Sequence, residues 1–220
     1  MMSMDHFALM GETSEIEELQ AQTKCWEAQW VLLRGQLSPH VLFNILNGVA
    51  ELVRRDPDAA EKILLDLADL YRMLLDHGSR TWTTLGEERA LIQRFLALEQ
   101  IRLGSRLETH WNWDTSADLV ATPPFLLQPL VENAVKHGIA PSLSGGELKI
   151  DWRRANQALF LRVSNTGCPL PKSSGPGLGI RNLESRLKLA YGDRARLRMF
   201  SDGAWTVAEL EICSSVLAAV

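Results

Sequence analysis

Cysteine is scarce in this 220-residue chain: Cys25, Cys168 and Cys213 stand far apart, with no CxxC pair and no neighbouring histidine ligands. That spacing excludes a disulfide framework and the usual zinc sites, and it fits a reducing, cytoplasmic setting. Basic residues are not in excess either. With 23 Lys and Arg against 27 Asp and Glu, a net charge of -4 argues against a surface built to neutralise nucleic-acid phosphates. Long hydrophobic runs are missing, none approaching the roughly 20 residues that cross a bilayer. The opening Met1-Met2-Ser3-Met4-Asp5-His6 has neither the basic nor the apolar part of a signal peptide. Internal repeats and low-complexity tracts are also missing. The remainder, 46% hydrophobic and 23% charged, is an ordinary globular composition at a length that suits two compact units.

The first half has helical periodicity. Ser14-Glu15-Ile16-Glu17 fits a capping box, and Ile16, Leu19, Cys25, Trp26, Trp30, Leu33 and Leu37 follow at three- and four-residue steps. Pro39 predicts a kink, after which Val41, Leu42, Ile45, Leu46, Val49 and Leu52 carry the pattern to about Arg55. Asp56-Pro57 supplies an N-cap and a first-turn proline for a second helix ending near Gly78. Two amphipathic helices joined so closely predict an antiparallel hairpin over 14–80. Its wide apolar stripe predicts that a second copy covers it, in a homodimeric four-helix bundle. Thr84-Leu85-Gly86-Glu87, a further capping box, opens a connecting helix over 81–104 that bridges the two units.

From 105 to 213 the character changes. Glu108-Thr109-His110-Trp111-Asn112-Trp113 alternates like a strand, and Pro123-Pro124 precedes an apolar helix from Phe125 to His137. Residues 147–154 and 158–164 read as strands paired across Asn156-Gln157, and 195–200 and 205–212 as a hairpin across Asp202-Gly203, with a helix over 181–191 between the pairs. The order predicts a two-layer α/β sandwich.

Two groups of residues carry chemistry. Asn133 offers a hard oxygen for Mg²⁺, and Lys136 and His137 follow within one helical turn. Gly175, Gly177 and Gly179, with Leu178 among them, would let a loop approach phosphate ahead of a helix N-terminus. Alone, a GxGxG is more often a flexible loop, and an Asn-Ala-x-Lys-His stretch is often a solvated helix edge. Both in one domain, ordered helix, hairpin, glycine loop, helix, reverse that weighting. In the first half, Ser38-Pro39-His40-Val41-Leu42-Phe43-Asn44 sets His40 on a helix with Asn44 one turn on, where an amide can orient an imidazole or a phosphate. Of the other histidines, His6 lies near the terminus, His77 at a helix end and His110 on a strand.

These residues carry a resemblance. Leu126-Leu127-Gln128-Pro129-Leu130-Val131-Glu132-Asn133-Ala134-Val135-Lys136-His137-Gly138 is similar to the N box of the GHKL (Bergerat) ATP-binding superfamily, and Gly175-Pro176-Gly177-Leu178-Gly179-Ile180-Arg181-Asn182 to its second glycine box. The family's Asp-x-Gly appears here as Asn165-Thr166-Gly167, an amide where a carboxylate normally accepts from the adenine amino group. The glutamate by which ATP-hydrolysing members activate water is replaced by Pro129, so hydrolysis by that route is not expected. The stretch from Leu37 to Asn47 resembles the phosphoacceptor segment of LytS-type sensor histidine kinases, with Val41 where Phe is usual. The segment from Leu98 to Leu107 is also typical of that family, and its Arg102 and Arg106 read as solvated arginines.

The resemblance implies autophosphorylation of His40 by ATP with Mg²⁺, then transfer to an aspartate of a response regulator, for which it suggests the LytTR type. The nucleotide would meet Asn133, Lys136, His137, Asn165, Gly167, Gly175, Gly177, Leu178 and Gly179, with Asn133 on the metal. A sensory input module would be a separate partner or a missing segment. The alternatives are a non-catalytic dimeric adaptor or histidine phosphotransfer protein with a degenerate nucleotide site, favoured by Asn165, and a serine kinase of the same superfamily.

Overall fold

In the computed structural model, the structure describes residues 39–155, 158–169 and 177–213. The expected helix over 14–38, the Asn156-Gln157 turn and Gly175 lie outside the described residues, as do the side chains of His40 and Asn44. The chain divides into units 1–43 and 44–220, and the geometry below belongs to the second.

The helices follow the apolar stripes. The first described helix, α1, is Pro39–Leu52, which buries Ile45 and Val49. Helix α2, Pro57–Ser79, begins where Asp56 accepts from the Ala59 amide at 3.0 Å, and it buries Ala60, Ile63, Leu67, Leu70 and Leu74. The capping box is present: Thr84 accepts from the Glu87 amide at 3.2 Å while Glu87 accepts from the Thr84 amide at 3.0 Å, opening α3, Leu85–Leu103. Among the described residues, no helix is long and apolar enough to cross a membrane.

Helix α3 occupies most of the stretch read as the connecting helix. It packs on α2, and it is also fastened to the sheet domain by several bonds. A two-residue strand β1, Thr83–Thr84, pairs antiparallel with β3, Ala121–Thr122, and the Leu85 and Gly86 amides donate to Val120 O and Asp118 O at 3.0 Å each. Arg89 pairs with Asp118 at 2.5 Å, and Asp118 also accepts from the Trp113 indole at 2.7 Å. The buried residues of α3, Glu88 and Glu99 among them, are not confined to one apolar stripe, so its partners are not legible in the sequence.

The main sheet has five strands in the order β2-β4-β5-β7-β6. Strand β2, Leu107–Asn112, lies parallel to β4, Gly146–Ala155. The rest of the sheet is antiparallel, with β5 at Ala158–Asn165, β6 at Ala195–Asp202 and β7 at Trp205–Cys213. The register puts Ile150, Val163 and Ala208 on one row and Trp152, Leu161 and Leu210 on the next, so the alternating apolar positions build one buried face. The opposite face carries Arg162, Glu209 and Arg198 side by side, with Glu209 bridging the two arginines at 2.5 and 2.6 Å. In the second hairpin Asp202 is already paired with Trp205, so the loop is Gly203-Ala204, and Gly203 takes the required positive φ of 59°.

The helix expected from Phe125 starts three residues later. Helix α4 is Gln128–Asn133, and it continues as a π-helical segment, Ala134–Ile139, closed by an Ala140 amide bond to Val135 O at 2.8 Å. Phe125 itself sits at φ 59°, a left-handed conformation that no apolar pattern foretells. Helix α5, Leu178–Tyr191, begins directly after Gly177. Together α4, its π-helical extension and α5 form the helical layer over the sheet.

Candidate functional site

Two stretches separated in sequence meet at Gly138, and a third reaches the start of α4. A Cβ built on Gly138 would stand 1.9 Å from Asn165 Nδ2 and 2.7 Å from its Cγ, so the end of β5 lies flat against the π-helical segment. A Cβ on Gly167, whose φ is 103°, would stand 2.4 Å from Gly138 O, and that oxygen accepts from the Cys168 amide at 2.8 Å. A Cβ on Gly146 would meet Thr166 O at 2.9 Å, while Thr166 Oγ1 accepts from the Glu147 amide at 2.8 Å. Gly146 and Gly167 thus let backbone approach backbone, and Gly138 leaves room for the Asn165 side chain. The third stretch arrives at α5: Gly179 faces Pro129, with 3.8 Å between its would-be Cβ and the proline Cβ.

Asn133, Lys136, His137, Asn165, Gly167, Gly177, Leu178 and Gly179 are therefore carried on adjoining elements. Gly175 lies outside the described residues, and His40 belongs to the other unit. Asn133 is half-buried at the junction of α4 with the π-helical segment, a helix irregularity common at functional sites. Lys136, His137, Gly177 and Gly179 are exposed, and Leu178 is 67% exposed at the first position of α5. Asn165 is buried and its Nδ2 donates to Thr166 O at 2.9 Å, which leaves Oδ1 as the accepting side of the amide. Burial, and then the neighbouring Lys136 charge, hold the His137 imidazole below its ordinary pKa, so it is neutral at pH 7.

The residues suit magnesium. Among the described residues no group of three or more His, Cys, Asp or Glu forms a metal cage. A lone amide oxygen from Asn133 matches an ion that keeps its waters and takes most ligands from substrate phosphates.

Several charged residues near the site were not legible in the sequence. Glu132, which precedes Asn133 on α4, accepts from Gln128 Nε2 at 2.7 Å. Burial pushes its carboxyl up to about 7; the Gln128 bond and Lys136 oppose the rise, and Glu99 adds to it. Glu99 is fully buried on α3 and is paired with Arg102, so Arg102 is not the solvated residue its sequence context suggests. Arg106 is likewise engaged, donating to Ala140 O at 3.2 Å just past the π-helical segment. Glu132 holds a proton in the folded state that an unfolded chain releases near pH 4.5, so this contribution to stability is present at low pH and is lost as pH rises through about 7. Melting temperature is expected to fall between pH 6 and pH 8. Glu132→Gln should flatten that slope and stabilise the protein at pH 8 by on the order of 1–2 kcal/mol; an unchanged slope in calorimetric scans would count against it.

Residues 28–107 match the profile of a family described as histidine kinase. The chain is 35% identical over 163 residues to the sensor histidine kinase BtsS of Escherichia coli (strain K12), covering 74% of this chain and 29% of that protein. It is 31% identical over 217 residues to the sensor protein LytS of Staphylococcus haemolyticus (strain JCSC1435), covering 92% of this chain and 37% of that one. The chain belongs to the LytS-type sensor histidine kinase family. It spans about a third of the length of these curated relatives. Among solved structures, the histidine kinase domain of the Erythrobacter litoralis EL346 blue-light activated histidine kinase is similar at a TM-score of 0.48 and 16% identity, over 80% of this chain and 100% of that one. In this LytS-type chain the N-box stretch is α4 with its π-helical extension, and the stretch beginning at Asn165 is the end of β5.

Proposed function

We propose that this chain is the kinase portion of a two-component sensor: in the cytoplasm it phosphorylates itself on His40 from Mg-ATP and passes the phosphoryl group to an aspartate of a response regulator. The observation that carries this reading is the close approach of Asn165 and Gly167 to Gly138, at the end of the helical stretch that carries Asn133, in a chain of this family. Asn133 would hold the metal, which supplies charge neutralisation across the phosphates, and Lys136 adds a second positive charge on the exposed side. Asn165 Oδ1 accepts from the adenine amino group, more weakly than a carboxylate would. The amides of α5 after Gly177 would face phosphate, with Leu178 and Gly179 at the rim; Gly175, outside the described residues, completes the proposed set.

The transfer balances without a further reactant. An imidazole nitrogen of His40 attacks the γ-phosphorus, the N–P bond forms as the bridging P–O bond breaks, ADP departs with the electron pair, and the ring proton passes to solvent. Asn44, one turn on, orients the imidazole. The regulator's aspartate then takes the phosphoryl group as an acyl phosphate, freeing the ring. Pro129 supplies no carboxylate to activate water, which favours the histidine over hydrolysis. The homodimeric four-helix bundle, a regulator of the LytTR type and a separate sensory input complete the proposal.

The test is incubation of the chain with γ-labelled ATP and Mg²⁺, with the product treated in acid and in alkali. Acid-labile, alkali-stable label on the chain is the expected result. The adaptor reading, which Asn165 favours, predicts no calorimetric binding of Mg-ATP at millimolar concentration, and label appearing only as acid-stable phosphoserine on a partner would point to a serine kinase.

A further inference from the structure

Five residues ahead of the N-box helix, Pro123 to Leu127, are held by three different helices. From α3, the fully buried Glu88 accepts from the Phe125 amide at 2.6 Å, the Leu126 amide at 2.8 Å and the Leu127 amide at 2.9 Å. From α5, Arg186 donates to Pro124 O at 3.0 Å and Phe125 O at 2.9 Å, and its guanidinium lies 5.9 Å from the Phe125 ring centroid. From α2, the buried His77 brings its ring to 6.1 Å from the same phenyl group. Between these contacts Phe125 is fixed at φ 59°.

A buried carboxylate and a half-buried guanidinium are costly, and such groups are weak contributors to stability compared with apolar packing. Their partners here are consecutive backbone groups of one short loop: all the donors go to Glu88 and both acceptors to Arg186. That arrangement sets a backbone path more than it adds cohesion. The path is short, because Leu127 gives its amide to Glu88 and its carbonyl to the Leu130 and Val131 amides at 3.1 Å each, and Asn133 follows two residues later. The Arg186 charge also favours the ionised form of Glu88, opposing the desolvation that raises its carboxyl to about 7.

We infer that Glu88 and Arg186 are positioning residues that clamp the loop of residues 124–127 and thereby fix where α4 presents Asn133 to the metal and phosphates. The role rests on the nucleotide reading given above. The clamp acts on the phosphate end only. The adenine end, Asn165 to Gly167 with Gly138, is held by β4, β5 and the π-helical segment through contacts in which neither clamp residue takes part.

That division supplies the test, made on the full chain by calorimetry with two probes, Mg-ATP and ADP in EDTA. Glu88→Gln puts an amide NH₂ against backbone donors, and Arg186→Met removes both donors to the loop while keeping bulk. Each is expected to weaken Mg-ATP binding by about tenfold or more, the scale on which groups orienting a metal ligand act, and to leave ADP binding in EDTA within about twofold. Arg186→Lys, which keeps one donor, should recover part of the loss. Amide hydrogen exchange, which needs no nucleotide, should speed up over residues 125–133 in Glu88→Gln and stay unchanged in the sheet. Equal losses for both probes, or unaltered exchange in that segment, would overturn the clamp, as would loss of the folded domain in both variants. Failure of the unmodified chain to bind Mg-ATP overturns the nucleotide reading itself, and the exchange data tell the two failures apart.

Discussion

Replacing His40 by glutamine is expected to reduce acid-labile incorporation from γ-labelled ATP to background while leaving Mg-ATP affinity within about twofold of the unmodified chain. The amide is similar in reach to imidazole but has no nucleophilic nitrogen, since its lone pair is delocalised into the carbonyl; neutral imidazole attacks phosphorus at cellular pH. Binding should persist because the groups assigned to the nucleotide all lie within residues 44–220, whereas His40 lies in the other unit. The other histidines among the described residues have other surroundings. His77 is buried with Nδ1 3.0 Å from Met73 O, His110 is bracketed by Glu108 at 3.1 Å and Glu147 at 3.7 Å, and His137 is assigned to the nucleotide in the proposal above. Acid-labile phosphate surviving in the variant would remove His40 from the reaction and with it the two-step transfer.

A large structural effect is expected at Gly167. Alanine there must adopt φ 103°, and its Cβ would lie 2.4 Å from Gly138 O and 3.1 Å from Gly138 C, both backbone atoms that a rotamer change cannot move. Strain and displacement together should cost on the order of 3 kcal/mol, a fall in melting temperature of roughly 6–12 °C at this chain length. The Cys168 amide bond to Gly138 O would be lost, Asn165 would shift with it, and nucleotide affinity should fall by more than tenfold, as about 1.4 kcal/mol or more of binding energy disappears. Gly203→Ala is the control, because that glycine also has a positive φ, 59°, but nothing lies within 4 Å of its would-be Cβ. It should cost about 1 kcal/mol and leave binding alone. Equal effects at the two positions would show that the close approach at Gly138 does not matter.

Much of the fold was legible because its signals are local. The Asp56-Pro57 start of α2 and the Thr84/Glu87 box are decided within one helical turn, and both are present in the structure. The alternating strands from Glu147 onward declare their buried face through period-two patterning, and they pair in the order read. The departures have a common cause. The helix expected from Phe125 begins at Gln128 because Glu88 and Arg186, 37 and 61 residues away, hold the preceding loop out of helical conformation. The bond by which α3 is tied to the sheet domain, from Arg89 to Asp118 29 residues away, is equally beyond local pattern. Arg102 looked solvated since nothing local says that Glu99 is buried.

The candidate site divides in the same way. Asn133, Lys136, His137 and the glycines could be named from residue type and spacing, because hard-oxygen ligands, positive charge and side-chain-free backbone are requirements of polyphosphate chemistry wherever it occurs. Their nearness to one another could not, since Gly138 and Gly167 look like ordinary loop glycines until a Cβ on either is seen to collide with the other stretch. By itself, then, the sequence determined the helices and their caps, the strand pairs, the chemical class of the site and the histidine to suspect, because these depend on a residue and its near neighbours along the chain. Tertiary structure alone decided which glycines admit close contact, which carboxylates are driven toward neutrality and which helices grip the loop before Asn133. Each of those depends on burial and on partners many residues distant, which no local pattern encodes.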